Sequence, residues 1–324
     1  MIPAQALRVD GPAPWLSVIV PSFRAEHWID SALSSLSAQP SDGIEVVLID
    51  GGPTSAAAER AARHALRLDL RIIERHDLST WQSKANFGVS VARATHACLL
   101  PVDDVWLPGR AAAVRNWIGS SPDAVLHLAP SAIIDRTGRN LGWWRCPLPD
   151  EKSLEPAFVA ERLLIQNFVA APAAVFRKDR WLACGGLDEQ LWYSADWDVW
   201  LKLCAEGHVV YHREATIGFR IHGDSLTVTG SRDIADFSAQ MRSVLERHLP
   251  SIDDRNGRLA KIAEASVIVN CALAAASTGN YRLLGNAASA VCRLGPAGIR
   301  RYFRDSRVLD RLVPRIRARL RGSL

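Results

Sequence analysis

The sequence predicts an α/β protein: a mostly parallel sheet flanked by helices, followed by a C-terminal helical extension. Three features lead to this class. β-Branched apolar runs alternate with helix-length segments between residues 17 and 100, the order that gives a parallel sheet with right-handed crossovers. Those runs end in polar or acidic residues, as strands do when their carboxyl ends open on a ligand crevice. Beyond residue 230 the strand-like runs stop and helical spacing continues to the end of the chain.

The elements follow in order. Residues 17–21 (SVIVP) read as a buried parallel strand, and the segment after it has helical spacing at Trp28, Ile29, Ala32, Leu33 and Leu36. Residues 45–49 (EVVLI) repeat the strand, Asp50-Gly51-Gly52-Pro53 supplies a turn, and Thr54 is the expected cap of an alanine-rich helix reaching about residue 68. Residues 70–73 form a third strand, 81–93 a third helix and 96–100 a fourth strand. Ser22 to Arg24, Asp50 and the pair Asp103-Asp104 all fall at strand carboxyl ends.

The stretch LLPVDDVWLP, residues 99–108, is the most informative. Two carboxylates side by side at a poorly solvated strand end repel by about 4 kcal/mol at 4 Å and an effective dielectric near 20. A hard divalent cation with oxygen ligands relieves that repulsion. The competing reading is a solvated turn whose aspartates cap the helix beginning near Gly109. Three strand ends converging on one crevice favour the cation. No Gly-x-Gly-x-x-Gly follows the first strand and there is no Gly-Lys-Ser/Thr loop, so a bound diphosphate would need a metal.

Composition narrows the class further. At 324 residues, 48% hydrophobic and 23% charged, the chain has the make-up of a soluble globular protein with one large or two ordinary domains. Six cysteines without a Cys-x-x-Cys pair read as reduced core thiols of a cytoplasmic protein. The first fourteen residues lack the basic start and apolar centre of a signal peptide, so no export is expected. Residues 262–276 are the nearest approach to a membrane span, but they are short and carry Glu264 and Asn270.

The net charge of +5 is concentrated at one end: ten arginines lie between Arg293 and Arg321, against Asp305 and Asp310. They alternate with Ile299, Tyr302, Phe303, Val308, Leu309, Leu312 and Ile316, the pattern of a basic amphipathic element at an anionic membrane surface. The alternative is a solvated helical face packed on the rest of the protein by its apolar stripe. Nucleic acid is not expected, because the basic residues are not interleaved with an aromatic binding face. The expected organisation is a flexible N-terminus (1–14), an α/β domain (15–229) that the resemblance given below makes the catalytic one, and a helical extension (230–324).

Several blocks between residues 15 and 229 resemble, in the right order, the inverting family 2 glycosyltransferases with the GT-A fold. They are SVIVPSF (17–23), EVVLIDGGPT (45–54), QSKANFG (82–88), LLPVDDVWLPGR (99–110), NFVAAP (167–172), GGLDEQLWYSADWDVWLKL (185–203) and FRIHGDSLT (219–227). The resemblance implies a nucleotide-sugar donor, a UDP-sugar by family habit, bound by Pro21, Ser22, Phe23, Asp50, Asn86 and Asp103, with Phe23 stacked on the base. It implies Mn2+ or Mg2+ held by Asp103, Asp104 and His222, and Asp196 as the catalytic base. Trp192 and Asp198 are the acceptor-side candidates. Three positions depart from the family pattern: Gly51 where a second acid is common, Pro101 in place of the first aspartate of Asp-x-Asp, and Ala195 where a glutamate often precedes the base.

From the residues themselves, Ser194 is the expected cap of a helix with Trp197, Trp200, Leu201 and Cys204 on one stripe, leaving Asp196 in the first turn where the helix dipole favours its charge. The expected function is a metal-dependent inverting transfer to a saccharide or lipid-linked acceptor in cell-envelope polysaccharide or glycolipid synthesis, in the cytoplasm and peripherally at the inner face of the membrane. The alternatives are a GT-A-like nucleotidyltransferase or a degenerate carbohydrate-binding protein.

Overall fold

The computed structural model describes residues 12–23, 25–149, 153–320 and 322. Most of the segment expected as a flexible N-terminus (residues 1–11) and Arg24 lie outside the described residues. Eleven strands form two sheets. They are β1 (Leu16–Ser22), β2 (Ile44–Asp50), β3 (Asp69–Glu74), β4 (His96–Leu99), β5 (Val105–Trp106), β6 (Leu126–Leu128), β7 (Ser131–Ile134), β8 (Asn140–Trp144), β9 (Val175–Arg177), β10 (Val209–Tyr211) and β11 (Ile217–Arg220).

The main sheet has seven strands in the order β10-β6-β9-β4-β1-β2-β3, all parallel to their neighbours except β9, which runs against both β4 and β6. Alternate residues of the central strands feed opposite faces: Ile19, Val47 and Ile49 join one core cluster, and Val18, Val20, Val46 and Leu48 the other. The register sets Ser22 beside Asp50 and Ile19 beside Leu99, so the polar residues leaving β1, β2 and β4 emerge on one edge. The second sheet, β5-β11-β7-β8, has four short strands and covers the exit of β4.

Local capping differs from the sequence expectation after β2. The helix after β2 runs only from Ala56 to Ala62 and starts after Ser55, not Thr54. Helix Trp81–Val91 is fixed by a capping box in which Thr80 accepts from the Ser83 N–H and Ser83 accepts from the Thr80 N–H.

The C-terminal helices pack on the sheets. Helix Arg258–Ser277 is long and apolar enough to cross a membrane by length and composition, but half of that stretch is buried, with Ile262, Val267 and Cys271 in the main core. Helix Val308–Leu320 docks on β8: Pro314 sits where a Cβ on Gly142 would come within 2.8 Å, Arg317 donates to the Leu141 carbonyl at 2.7 Å, and Ala318 is buried with Ile133 and Leu141. Its sidedness is the reverse of an ordinary packed amphipathic helix. Arg311 is buried, whereas Leu309, Val313, Ile316 and Leu320 form an exposed stripe at i, i+4, i+7 and i+11.

A buried imidazole cluster lies between β4, β6 and the end of β10. His127 and His212 are 3.1 Å apart through Nδ1 and Nε2, and His212 stacks on Trp117 at 4.1 Å. Burial, reinforced by the neighbouring imidazoles, pushes His127 down to about 3; burial pushes His212 down to about 4. Both stay neutral when folded but take protons below their ordinary value of about 6.5 when unfolded, so stability falls as pH drops below that value. At pH 5 the loss should be about 2 kcal/mol for each ring. Thermal unfolding at pH 7.5 and pH 5 checks this, and His127→Phe should flatten the dependence.

Candidate active site

At the end of β1, the Ser22 hydroxyl donates to Asp50 Oδ1 at 3.3 Å, and the Gly52 N–H donates to the same oxygen at 3.0 Å. Among the described residues Asp50 Oδ2 is buried without a hydrogen-bond partner. Pro21 and Ser22 are buried at the strand end, while Phe23 is 53% exposed. Lys84, a residue that sequence reasoning missed, lies beside them. Its ammonium is 5.3 Å from the centre of the Phe23 ring, and a Cβ on Gly51 would come within 2.1 Å of its side chain. Burial pushes the Lys84 ammonium down, and the Asp50 charge pulls it back up. The missing second acid at Gly51 therefore has a steric reason: the lysine occupies that space.

The two aspartates after β4 point in different directions. Asp104 is buried, and its Oδ1 accepts from the Arg220 backbone N–H at 2.8 Å. Burial, aided by the adjacent Asp103 charge, raises its pKa well above the usual carboxylate range. Neither aspartate caps the following helix, which starts after Gly109 in a left-handed conformation. Asp103 remains partly accessible, with Oδ2 3.2 Å from His222 Nε2. His222 packs on Trp28 with ring centres 5.2 Å apart, and among the described residues its Nδ1 is buried without a partner. Among the described residues no group of three His, Cys, Asp or Glu is placed to hold a metal. The side chains brought together are a carboxylate and an imidazole. That donor set fits an ion whose remaining ligands are phosphate oxygens and water.

Around Asp196 the structure separates positions that the sequence grouped. Asn86 does not face the donor crevice: its amide donates to the Leu187 carbonyl at 2.8 Å and accepts the Leu187 N–H at 2.9 Å. It clamps the Gly185-Gly186 loop, where a Cβ on Gly186 would meet Asn86 Oδ1 at 2.4 Å. Asp198 is wholly buried, with Lys202 at 2.7 Å and Arg247 and His248 both at 2.8 Å, so its carboxylate ties helix Ala195–Glu206 to helix Ile234–His248 and does not face an acceptor. Trp192 is half-fixed: its Nε1 donates to Asp236 at 2.5 Å, and Gly230 lies against its ring.

Ser194 does not cap the helix, because its hydroxyl donates to the Gln240 carbonyl at 3.0 Å. Asp196 follows in the first turn, bonded by the Trp197 N–H at 2.7 Å and by the Asn167 side chain. Burial outweighs these bonds and pushes its carboxyl up to about 7. The NFVAAP segment thus contributes Asn167 to the site, a contact that spacing alone did not reveal.

The model of the family described as Glycosyl transferase family 2 matches residues 17–178, half of the chain. The chain belongs to glycosyl transferase family 2. The amylovoran biosynthesis glycosyltransferase AmsE of Erwinia amylovora is 26% identical over 198 residues, covering 60% of this chain and 71% of that protein. In fold, the glycosyltransferase is similar to S. aureus TarS 1-349 in complex with UDP-GlcNAc, with a TM-score of 0.56 at 15% identity over 78% of this chain and 80% of that one. It is also similar to the mannosyltransferase PcManGT of Pyrobaculum calidifontis in complex with GDP-Man and Mn2+, with a TM-score of 0.53 at 15% identity over 94% and 86% of the two chains. The GT-A fold and the transferase class expected from the sequence both hold, and the nucleotidyltransferase alternative falls away.

The Gly51–Lys84 packing gives a direct check. Gly51→Ala should destabilise the glycosyltransferase by about 1–3 kcal/mol through overpacking against Lys84. Adding Lys84→Ala should recover part of that loss, measured by chemical denaturation of the single and double variants.

Proposed function

We propose that the protein is a metal-dependent inverting glycosyltransferase that moves a sugar from a nucleoside diphosphate sugar to a saccharide or lipid-linked acceptor in cell-envelope polysaccharide or glycolipid synthesis. The observation that carries this reading is Asp196, a carboxyl held by Asn167 and poised near neutrality by burial. It takes the proton of the acceptor hydroxyl as the oxygen attacks the anomeric carbon. Attack opposite the departing diphosphate inverts that carbon.

Asp103 and His222 would hold Mn2+ or Mg2+, whose chemistry when bound is to offset the charge growing on the leaving diphosphate. Asp104 supports the turn from behind by bonding to β11. Among the described residues Asp50 has one oxygen without a partner, which matches the single imide N–H of uracil better than the two donors on the edge of guanine. A UDP-sugar is therefore the donor in this reading, with Phe23 against the base and Pro21 and Ser22 shaping the floor. The name of AmsE, a transferase of amylovoran biosynthesis, supports the polysaccharide setting. The exposed stripe Leu309, Val313, Ile316 and Leu320, with exposed Arg317 and Arg319 beside it, supports peripheral attachment to an anionic membrane from the cytoplasmic side.

Asp196→Asn should retain donor binding and lower transfer by about 10²–10⁴-fold. In the wild type, kcat/KM should rise with pH through about 7 and then level, because the base works only when deprotonated. The same substitution should raise Tm at pH 8, where the folded state otherwise holds a buried charge, and leave it unchanged at pH 3, where the carboxyl is protonated in both states. Transfer at the wild-type rate in Asp196→Asn would reject the base.

A further inference from the structure

Lys84 is enclosed at the end of the main sheet without the partners that an ammonium needs. It lies in the first turn of helix Trp81–Val91 and is 1% exposed. Among the described residues its Nζ forms no ion pair, and its single hydrogen bond goes to the Thr80 carbonyl at 3.4 Å, beyond the usual length of such a bond. An ammonium carries three N–H donors, and a buried charge left short of acceptors is costly. Burial accordingly pushes its pKa down, and the Asp50 charge pulls it part of the way back.

The complementary group beside it has the opposite deficit. Asp50 Oδ1 is taken by Ser22 and Gly52, while among the described residues Oδ2 is buried without a partner. A Cβ on Gly51, the next residue, would lie 2.9 Å from Lys84 Nζ. A carboxylate oxygen and an ammonium therefore stand side by side at the end of β2, unpaired with each other, each with hydrogen-bonding capacity to spare. Phe23, at the end of β1, is the ring next to them, with its centre 5.3 Å from Nζ. At 53% exposure its side chain can turn aside without disturbing the core, and that uncovers both groups. Position 51, where a second acid is common in the family, is glycine, and the lysine stem fills the space. The site thus places a hydrogen-bond donor next to Asp50, where a second acid would add only another acceptor.

We propose that Lys84 is a base-specificity residue, whose ammonium donates to a ring carbonyl oxygen of uracil beside the imide N–H that Asp50 accepts. The order of the strands says which part of the donor it meets. Strand β1 lies between β2 and β4, so the ends of β2 and β4 are two strand spacings, about 10 Å, apart. A nucleotide whose diphosphate lies at Asp103 and His222, after β4, brings its base and not its phosphates to Asp50 and Lys84. Uracil presents a carbonyl, an N–H and a second carbonyl in a row on its pairing edge. A carboxylate alone meets the N–H but is repelled by the oxygens flanking it, and the ammonium turns one of those repulsions into a charge-assisted hydrogen bond. The inference rests on the UDP-sugar reading given above and adds the residue that makes the base edge fit.

The test titrates UDP, 2-thio-UDP and 4-thio-UDP calorimetrically into the full chain in the presence of Mn2+, because sulfur in place of either carbonyl oxygen is a weak acceptor. The wild type should bind one of the two thio analogues about tenfold more weakly than UDP. Lys84→Met keeps the apolar stem and removes the ammonium. It should bind UDP about tenfold more weakly than the wild type does, and should bind that same thio analogue as well as it binds UDP. A lysine that serves packing alone would weaken all three ligands alike in the variant and leave the discrimination in place, which overturns the proposal. Equal binding of the three nucleotides by the wild type overturns it without recourse to any variant. Failure of the wild type to bind UDP would remove the UDP-sugar reading itself, whereas UDP binding with a discrimination that Lys84→Met leaves intact would remove only the role of the lysine.

Discussion

The turn that carries Asp103 and Asp104 is held by Arg220, whose buried guanidinium spans from β11 to the neighbouring loops. Its Nε donates to the Asp103 carbonyl at 2.7 Å, one terminal nitrogen donates to the Asp135 carbonyl at 2.9 Å and the Arg136 carbonyl at 3.0 Å, and its own backbone N–H is taken by Asp104. The group also lies 4.8 Å from the centre of the Trp28 ring, which in turn packs on His222. One side chain therefore fixes the backbone of the aspartate turn, the buried carboxyl behind it and the aromatic support of the imidazole in front. Each buried bond left unmade would cost about 1–3 kcal/mol, which is why such a hub sets geometry and not merely stability.

The second sheet takes its purpose from this arrangement. The main sheet brings Ser22 and Asp50 to one edge through the parallel register of β1 and β2, but nothing in that register orients the residues leaving β4. Strand β11 does so, pairing with β5 just after the aspartates and delivering Arg220 and His222 from one short segment. On the far side, Asn86 fixes the Gly185-Gly186 loop and Asp198 fixes helix Ala195–Glu206 to helix Ile234–His248. Buried polar residues hold the loop and helix on either side of Asp196, so its carboxyl is positioned by those contacts and not by its own helix cap.

Much of the fold was legible because its signals are local. Continuous apolar runs give the central strands of a parallel sheet, and β1 and β2 fall within about a residue of their expected limits. The small sheet was not legible, since strands of two to five residues have too little pattern to separate from loops. The aspartate pair was recognisable from adjacent like charges at a strand end. The division of labour between Asp103 and Asp104 was not, because it depends on a backbone N–H supplied more than a hundred residues later. Lys84 and Arg311 were hidden for the same reason: a lysine in a helix and an arginine in a basic segment read as solvated until the fold encloses them. Asp198 misled in the opposite sense, as its place beside Asp196 carries no sign of the lysine, arginine and histidine that surround it.

The proposal that the Asp103 carboxylate and the His222 imidazole would hold a divalent metal at the donor diphosphate is tested most directly by calorimetric titration of UDP into the wild type and Asp103→Asn, each with and without Mn2+. The expected result is binding that Mn2+ strengthens in the wild type and leaves unchanged in Asp103→Asn, with both proteins equally folded. Binding by Asp103→Asn with the wild-type dependence on Mn2+ would contradict it.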